Sequence, residues 1–172
     1  DIGGHWMQGG LALVMLFDAL NGYPIDPAQR NIKLKLRPLT RERIPEYEKD
    51  FPDGFPLYDF KHHSRVFNLG NAPAYTEFVL ASTPHMSASS RRFKIGAVVP
   101  TLETEFWRRY YEFMQKGADE LGVELIKKSA DNIPERLETI VRDLLAQKVD
   151  GLIAVPYWGY DKNILSLTKK TG

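Results

Sequence analysis

Cysteine is absent from the 172 residues, which excludes disulfides, thiolate metal sites and a cysteine nucleophile without fixing a compartment. No charge of one sign prevails either. Lys and Arg number 23 against 22 Asp and Glu, which argues against a nucleic-acid binder built on a basic surface. Long apolar runs are also missing. The longest, Leu11 to Phe17, resumes at Ala19 and Leu20 after Asp18, and at about twelve residues falls short of the ~20 that span a bilayer. It has no basic leader and so reads as a very buried helix, not a signal peptide. What the composition does contain, 26% charged and 12% aromatic residues, excludes disorder and leaves an α/β or α+β domain.

Motifs for chemistry are equally scarce. Gly3, Gly4, Gly9 and Gly10 fit neither G-x-G-x-x-G nor G-x-x-x-x-G-K-[ST], and no lysine follows them. His62, His63 and His85 have no carboxylate or second histidine at metal-ligand spacing, so no metal site is expected. No Ser, His and Asp set marks a nucleophile elbow. Glu103 and Glu105 could pair as acid and base, but an exposed helix N-terminus explains them more simply. The chain reads as a non-enzyme with no catalytic residues, no cofactor and no nucleic-acid partner.

Residues 93–172 alternate strand and helix signals. Phe93–Pro100 is a β-branched run ended by proline, as in a buried parallel strand. Trp107, Tyr111, Met114, Ala118 and Leu121 then recur at steps of four and three on one helix face, and Gly122 stops that helix. Val123–Ser129 predicts a second strand. Asp131 and Asn132 are N-cap types, Pro134 suits a first turn, and Leu137, Ile140, Val141, Leu144 and Leu145 form the apolar face of a second helix. Val149–Pro156 predicts a third strand, and a third helix starts at Ile164. This βαβαβα order predicts an α/β fold, a doubly wound, flavodoxin-like parallel sheet with helices on both faces.

Residues 1–80 differ. The glycine-rich start leads into the apolar helix ending at Asn21-Gly22, and Asn31–Leu39 alternates as a half-exposed strand. The Pro- and aromatic-rich stretch after Thr40 resembles a tail laid over a surface. Ala81–Arg92, small and Ser-rich, reads as a flexible linker.

In open α/β sheets, ligands bind outside the carboxyl ends of the strands. The loops there carry Thr101 to Trp107, Asp131 with Asn132, and Tyr157 to Asp161. Phe106, Trp107, Tyr157, Trp158 and Tyr160 among polar groups suit a sugar ring or an alkylammonium. Trp107 also suits a core position by its helical register.

Four segments carry a resemblance: KIGAVVPTLETEFW (Lys94–Trp107), KGADELGVEL (Lys116–Leu125), SADNIPER (Ser129–Arg136) and VDGLIAVP (Val149–Pro156). On these, residues 93–172 resemble the start of a mature type I periplasmic solute-binding protein of the ribose/galactose class. The resemblance implies two lobes closing on a ligand, with Glu103, Thr104, Phe106 and Trp107 after the first strand and Tyr157 and Trp158 after the third as contacts. Asn132 joins them from the second loop. Where the family often has Asn-Pro, this chain has Thr104-Glu105, so a standard aldopentose is not implied.

GGHWMQGGLALVMLFDALNG (Gly3–Gly22) resembles the last long helix of the same family, which returns to the first lobe. The order is then inverted: a C-terminal-type segment over 1–80, the linker over 81–92, the N-terminal segment of the first lobe over 93–172, and the middle absent. His5 and Trp6 would lie near the same rim. The implied role is periplasmic binding of a sugar-like molecule for a membrane importer of the ABC type. Two further readings stand beside it: a binding partner of a sensor kinase, and a permuted or split fragment needing a complementary chain or a second copy.

Overall fold

The structure is a computed structural model that describes residues 5–29, 31–32, 39–68, 70, 72–75, 92–157 and 159–169. A 3-10 turn at His5–Met7 opens into α1 (Gln8–Leu20). The short helices α2 (Ile44–Asp50) and α3 (Phe60–His63) follow, then β1 (Lys94–Val99), α4 (Glu105–Leu121), β2 (Glu124–Ser129), α5 (Pro134–Ala146), β3 (Gly151–Ala154) and α6 (Asp161–Lys169). The fold is α/β: the three strands form an all-parallel sheet in the order β2-β1-β3. Both ladders register on β1, where Ala97 stands between Lys127 and Ile153.

The period of two along β1 sorts its side chains onto two helical layers. Ile95, Ala97 and Val99 share a buried cluster with Leu13, Val14 and Phe17 of α1 and Phe113, Met114 and Ala118 of α4. Val98 faces the other way, into a smaller cluster with Ala130, Leu137, Val141 and Ile164 from the α5 and α6 side. Leu144 of α5 lies over Gly96 on that same face. The sheet is therefore sandwiched, with α1 and α4 on one side and α5 and α6 on the other. Tyr111 reaches from α4 into the ladder itself. Its hydroxyl lies within hydrogen-bond reach of the carbonyls of Ala97 (2.7 Å) and Lys128 (2.5 Å), which share its one proton, and accepts from the Lys128 amide.

Three expectations need amending. The third strand spans Gly151–Ala154, shorter than residues 149–156. The N-cap of α5 is Ile133, not Asp131 or Asn132. Those two residues adopt left-handed backbone (φ 53° and 58°) ahead of the cap position, and the Asp131 carboxylate is taken by Ser129 Oγ and Arg136. The stretch after Thr40 contributes to the core instead of merely lying on it: Tyr58, Phe60, His63, Ser64 and Tyr75 are all buried. The predicted strand at 31–39 falls mainly on residues 33–38, and the linker on residues 81–91, which lie outside the described residues.

Asp18, read from the sequence as an interruption of an apolar run, is fully buried on α1. Its carboxylate accepts from Ser64 Oγ (2.5 Å), the Arg65 amide (2.9 Å) and the Tyr75 hydroxyl (2.7 Å). A buried carboxylate persists only when its lone pairs are satisfied in this way. No helix among the described residues is long and apolar enough to cross a membrane.

Candidate functional site

The carboxyl edge of the sheet is formed by three loops that meet at one backbone oxygen. Pro100 ends β1 and cannot extend the ladder, so its carbonyl points past the strand and accepts two bonds. The Asn132 amide donates from the loop after β2 (2.8 Å), and the Tyr157 hydroxyl donates from the segment after β3 (3.0 Å). The left-handed pair at Asp131 and Asn132 turns the chain back toward β1 and leaves the Asn132 side chain exposed. Burial pushes the Tyr157 phenol above its ordinary range, and the neighbouring Asp131 carboxylate adds to the shift.

The loop after β1 is shaped by its own polar groups. Buried Thr101 accepts the Glu103 amide on Oγ1 (3.1 Å), while Arg108 donates to the carbonyls of Leu102 and Glu103 (both 2.9 Å). Thr104 stands as the N-cap of α4 without a side-chain capping bond. Glu103 and Thr104 are exposed there, so their oxygens face solvent at the rim. Glu105 is engaged with Arg109 at 2.7 Å, and that hydrogen bond holds its carboxyl below the usual range. Glu105 thus braces the first turn, and no geometry pairs it with Glu103 for proton transfer.

Phe106 remains 38% exposed and meets Trp107 edge-on at 4.7 Å; Trp107 in turn packs edge-on against Tyr110 at 5.4 Å. Trp107 is half-buried, so it serves both the core and the rim. Tyr160 leans on the α5–α6 cluster, and its phenol is raised chiefly by the charge of Glu135.

The structure therefore brings Glu103, Thr104, Phe106, Trp107, Asn132 and Tyr157 to one edge. The ring of Trp6 packs edge-on against Phe55 (5.3 Å) and Phe113 (5.4 Å), in the aromatic layer outside α4. His5 is exposed in the 3-10 turn beside it. Trp158 lies outside the described residues. Sequence reasoning did not foresee the Pro100 carbonyl or Arg108. The first is backbone, and the second is signalled only by an arginine one turn inside a helix whose preceding loop needs donors. The arrangement offers an aromatic face beside hydroxyl, amide and carboxylate groups, which suits binding of a polar molecule with an apolar face.

Residues 92–170 match the family model for periplasmic binding proteins and the sugar binding domain of the LacI family. No curated protein and no solved structure matches the chain.

Proposed function

We propose that the carboxyl edge of the β2-β1-β3 sheet is one wall of a cleft that binds a small polar ligand, a sugar or polyol, without chemistry. The observation that carries this reading is the convergence at the Pro100 carbonyl, which fixes Asn132 and Tyr157 beside the Glu103–Trp107 loop. The match over residues 92–170 supports it. In this reading the opposite wall belongs to a second lobe, and the ligand favours a closed hinge by contacts made only there. The protein works in the periplasm and hands its ligand to an ABC-type importer. The N-terminal residues act as the returning, C-terminal-type segment of the same lobe in permuted order. A second lobe, a complementary chain or a second copy supplies the opposite wall.

The test is a thermal-shift titration of the full chain with ribose, galactose, sorbitol and choline. A sugar or polyol at about 100-fold over its dissociation constant adds about 2.7 kcal/mol to stability. Asn132→Gly keeps the left-handed turn while removing the amide, and Phe106→Ala removes the exposed ring; each should weaken the ligand about tenfold or more. A shift with choline alone would refute the sugar reading. So would a sugar shift untouched by both substitutions.

A further inference from the structure

Residues 58–68 and 72–75 carry a cluster of titratable groups that ligand binding at the sheet edge does not use. Phe60 of α3 is seated where Gly10 of α1 and Gly117 of α4 leave room; a Cβ at either glycine would come within 2.8 Å or 2.6 Å of the ring. Beyond it, His63 is fully buried. Its Nε2 lies 3.1 Å from the Ala74 carbonyl, which can only accept, so Nε2 carries the proton. Nδ1 is then the acceptor for the Tyr58 hydroxyl. The ring also stacks on Tyr75 (5.8 Å), whose hydroxyl binds Asp18. Neutral His63 thus links Tyr58, Ala74 and Tyr75 to the Asp18 centre on α1.

We propose that residues 58–68 and 72–75 form a strap closed over α1 and α4, and that a proton on His63 unlatches it. Protonation turns Nδ1 from acceptor into donor and places a charge where no water reaches. The charged groups around it do not all act in one direction. Burial, joined by Arg65 and His62 on the strap, lowers the affinity of the ring for a proton and outweighs the Ala74 carbonyl and Asp18 of α1, which favour it. From α4, Glu120 accepts the Lys61 amide (2.9 Å), and with Asp59 it faces Tyr58. Burial raises the Glu120 carboxyl, so its protonation works in the opposite sense and holds the strap at low pH.

The sign for His63 follows from linkage. Its folded proton affinity is lower than its affinity in an open strap, so closure is fully favoured above about pH 6.5 and weakens as pH falls below that value. The strap opens with acid while the sheet does not.

Hydrogen exchange of the full chain, corrected for intrinsic rates, reads this between about pH 7.5 and about pH 5. The expected result is about a tenfold loss of protection in residues 58–68, with β1 amides unchanged, and no such loss in His63→Gln. Should that variant not fold, ring NMR of the wild type decides: His63 titrates below the ordinary histidine range, and the Tyr75 ring moves at the same midpoint. Equal opening in His63→Gln, parallel loss in β1, unchanged protection in the wild type, or a Tyr75 midpoint apart from that of His63 would each overturn the proposal.

Discussion

Around β1 the packing follows the backbone period: alternate residues of a strand buried on both faces serve opposite helical layers, and every third or fourth residue of α4 and α5 turns inward. Around α1 it does not. There the layer is made of Trp6, Phe55, Tyr58, Phe60 and Tyr75, contributed by short helices and loops, and joined by a buried carboxylate. A repeating backbone can bury aliphatic side chains on one face with its polar groups already paired in the ladder. Irregular backbone needs large rings to cover area and needs side-chain acceptors for its orphan amides, as Asp18 supplies for Arg65. Phe113 stands where the two kinds of packing meet, touching Trp6, Tyr58 and Phe60 on one side while α4 lies on the sheet.

The strongest way to break the comparison is therefore Phe113→Ala. The ring is wholly buried, and its removal should cost about 4 kcal/mol. Because both regions lean on it, urea unfolding followed by tyrosine fluorescence and by far-UV circular dichroism should shift together. Two separated transitions would show that the aromatic layer and the βα unit fold independently. Asp18→Ala comes next, at about 3 kcal/mol, since it strands the Ser64 and Tyr75 hydroxyls and the Arg65 amide in a dry site. Its effect should be local. Exchange protection should fall in residues 58–68 before it falls in β1, and a uniform loss would sink the idea that the carboxylate serves one region.

The same contrast decides what could be read from the chain. Trp107, Tyr111, Met114, Ala118 and Leu121 announce α4 by spacing alone, because a helix face recurs locally, each of its positions one turn from the next. The rim was legible for a similar reason: strand ends mark where the loops after β1, β2 and β3 must emerge. Asp18 was not legible as a hub, since Ser64 and Tyr75 lie 46 and 57 residues further along and no period connects them. Trp6 suits either a place near the rim or a buried one by its position before α1, and its ring packs on Phe55 and Phe113. The Pro100 carbonyl escaped notice because a backbone oxygen has no letter of its own.

Tyr111 sharpens the comparison from the regular side. Its hydroxyl bonds three backbone atoms of β1 and β2, a polar role hidden inside a position that the periodicity marks as apolar. Tyr111→Phe keeps the ring and should cost about 1.5 kcal/mol, with the loss confined to exchange at Ala97, Lys128 and their neighbours. An equal loss at residues 58–68 would mean that the two regions are coupled through more than Phe113.

The smallest effect comes from Gly122, where regularity ends. Its φ of +72° closes α4, and the chain turns so that the Val123 amide reaches the Ala118 carbonyl at 2.8 Å. A methyl group there would meet nothing within 4 Å, so only the left-handed backbone resists substitution. Gly122→Ala should cost about 1 kcal/mol, and Gly122→Asn less, because asparagine tolerates that conformation. The order of the two variants in urea midpoint is the check. If alanine and asparagine cost the same, the penalty comes from something other than φ. The helix end would then be held, like the N-terminal layer, by contacts distant in sequence, and the division between periodic and irregular packing would fail at its most regular element.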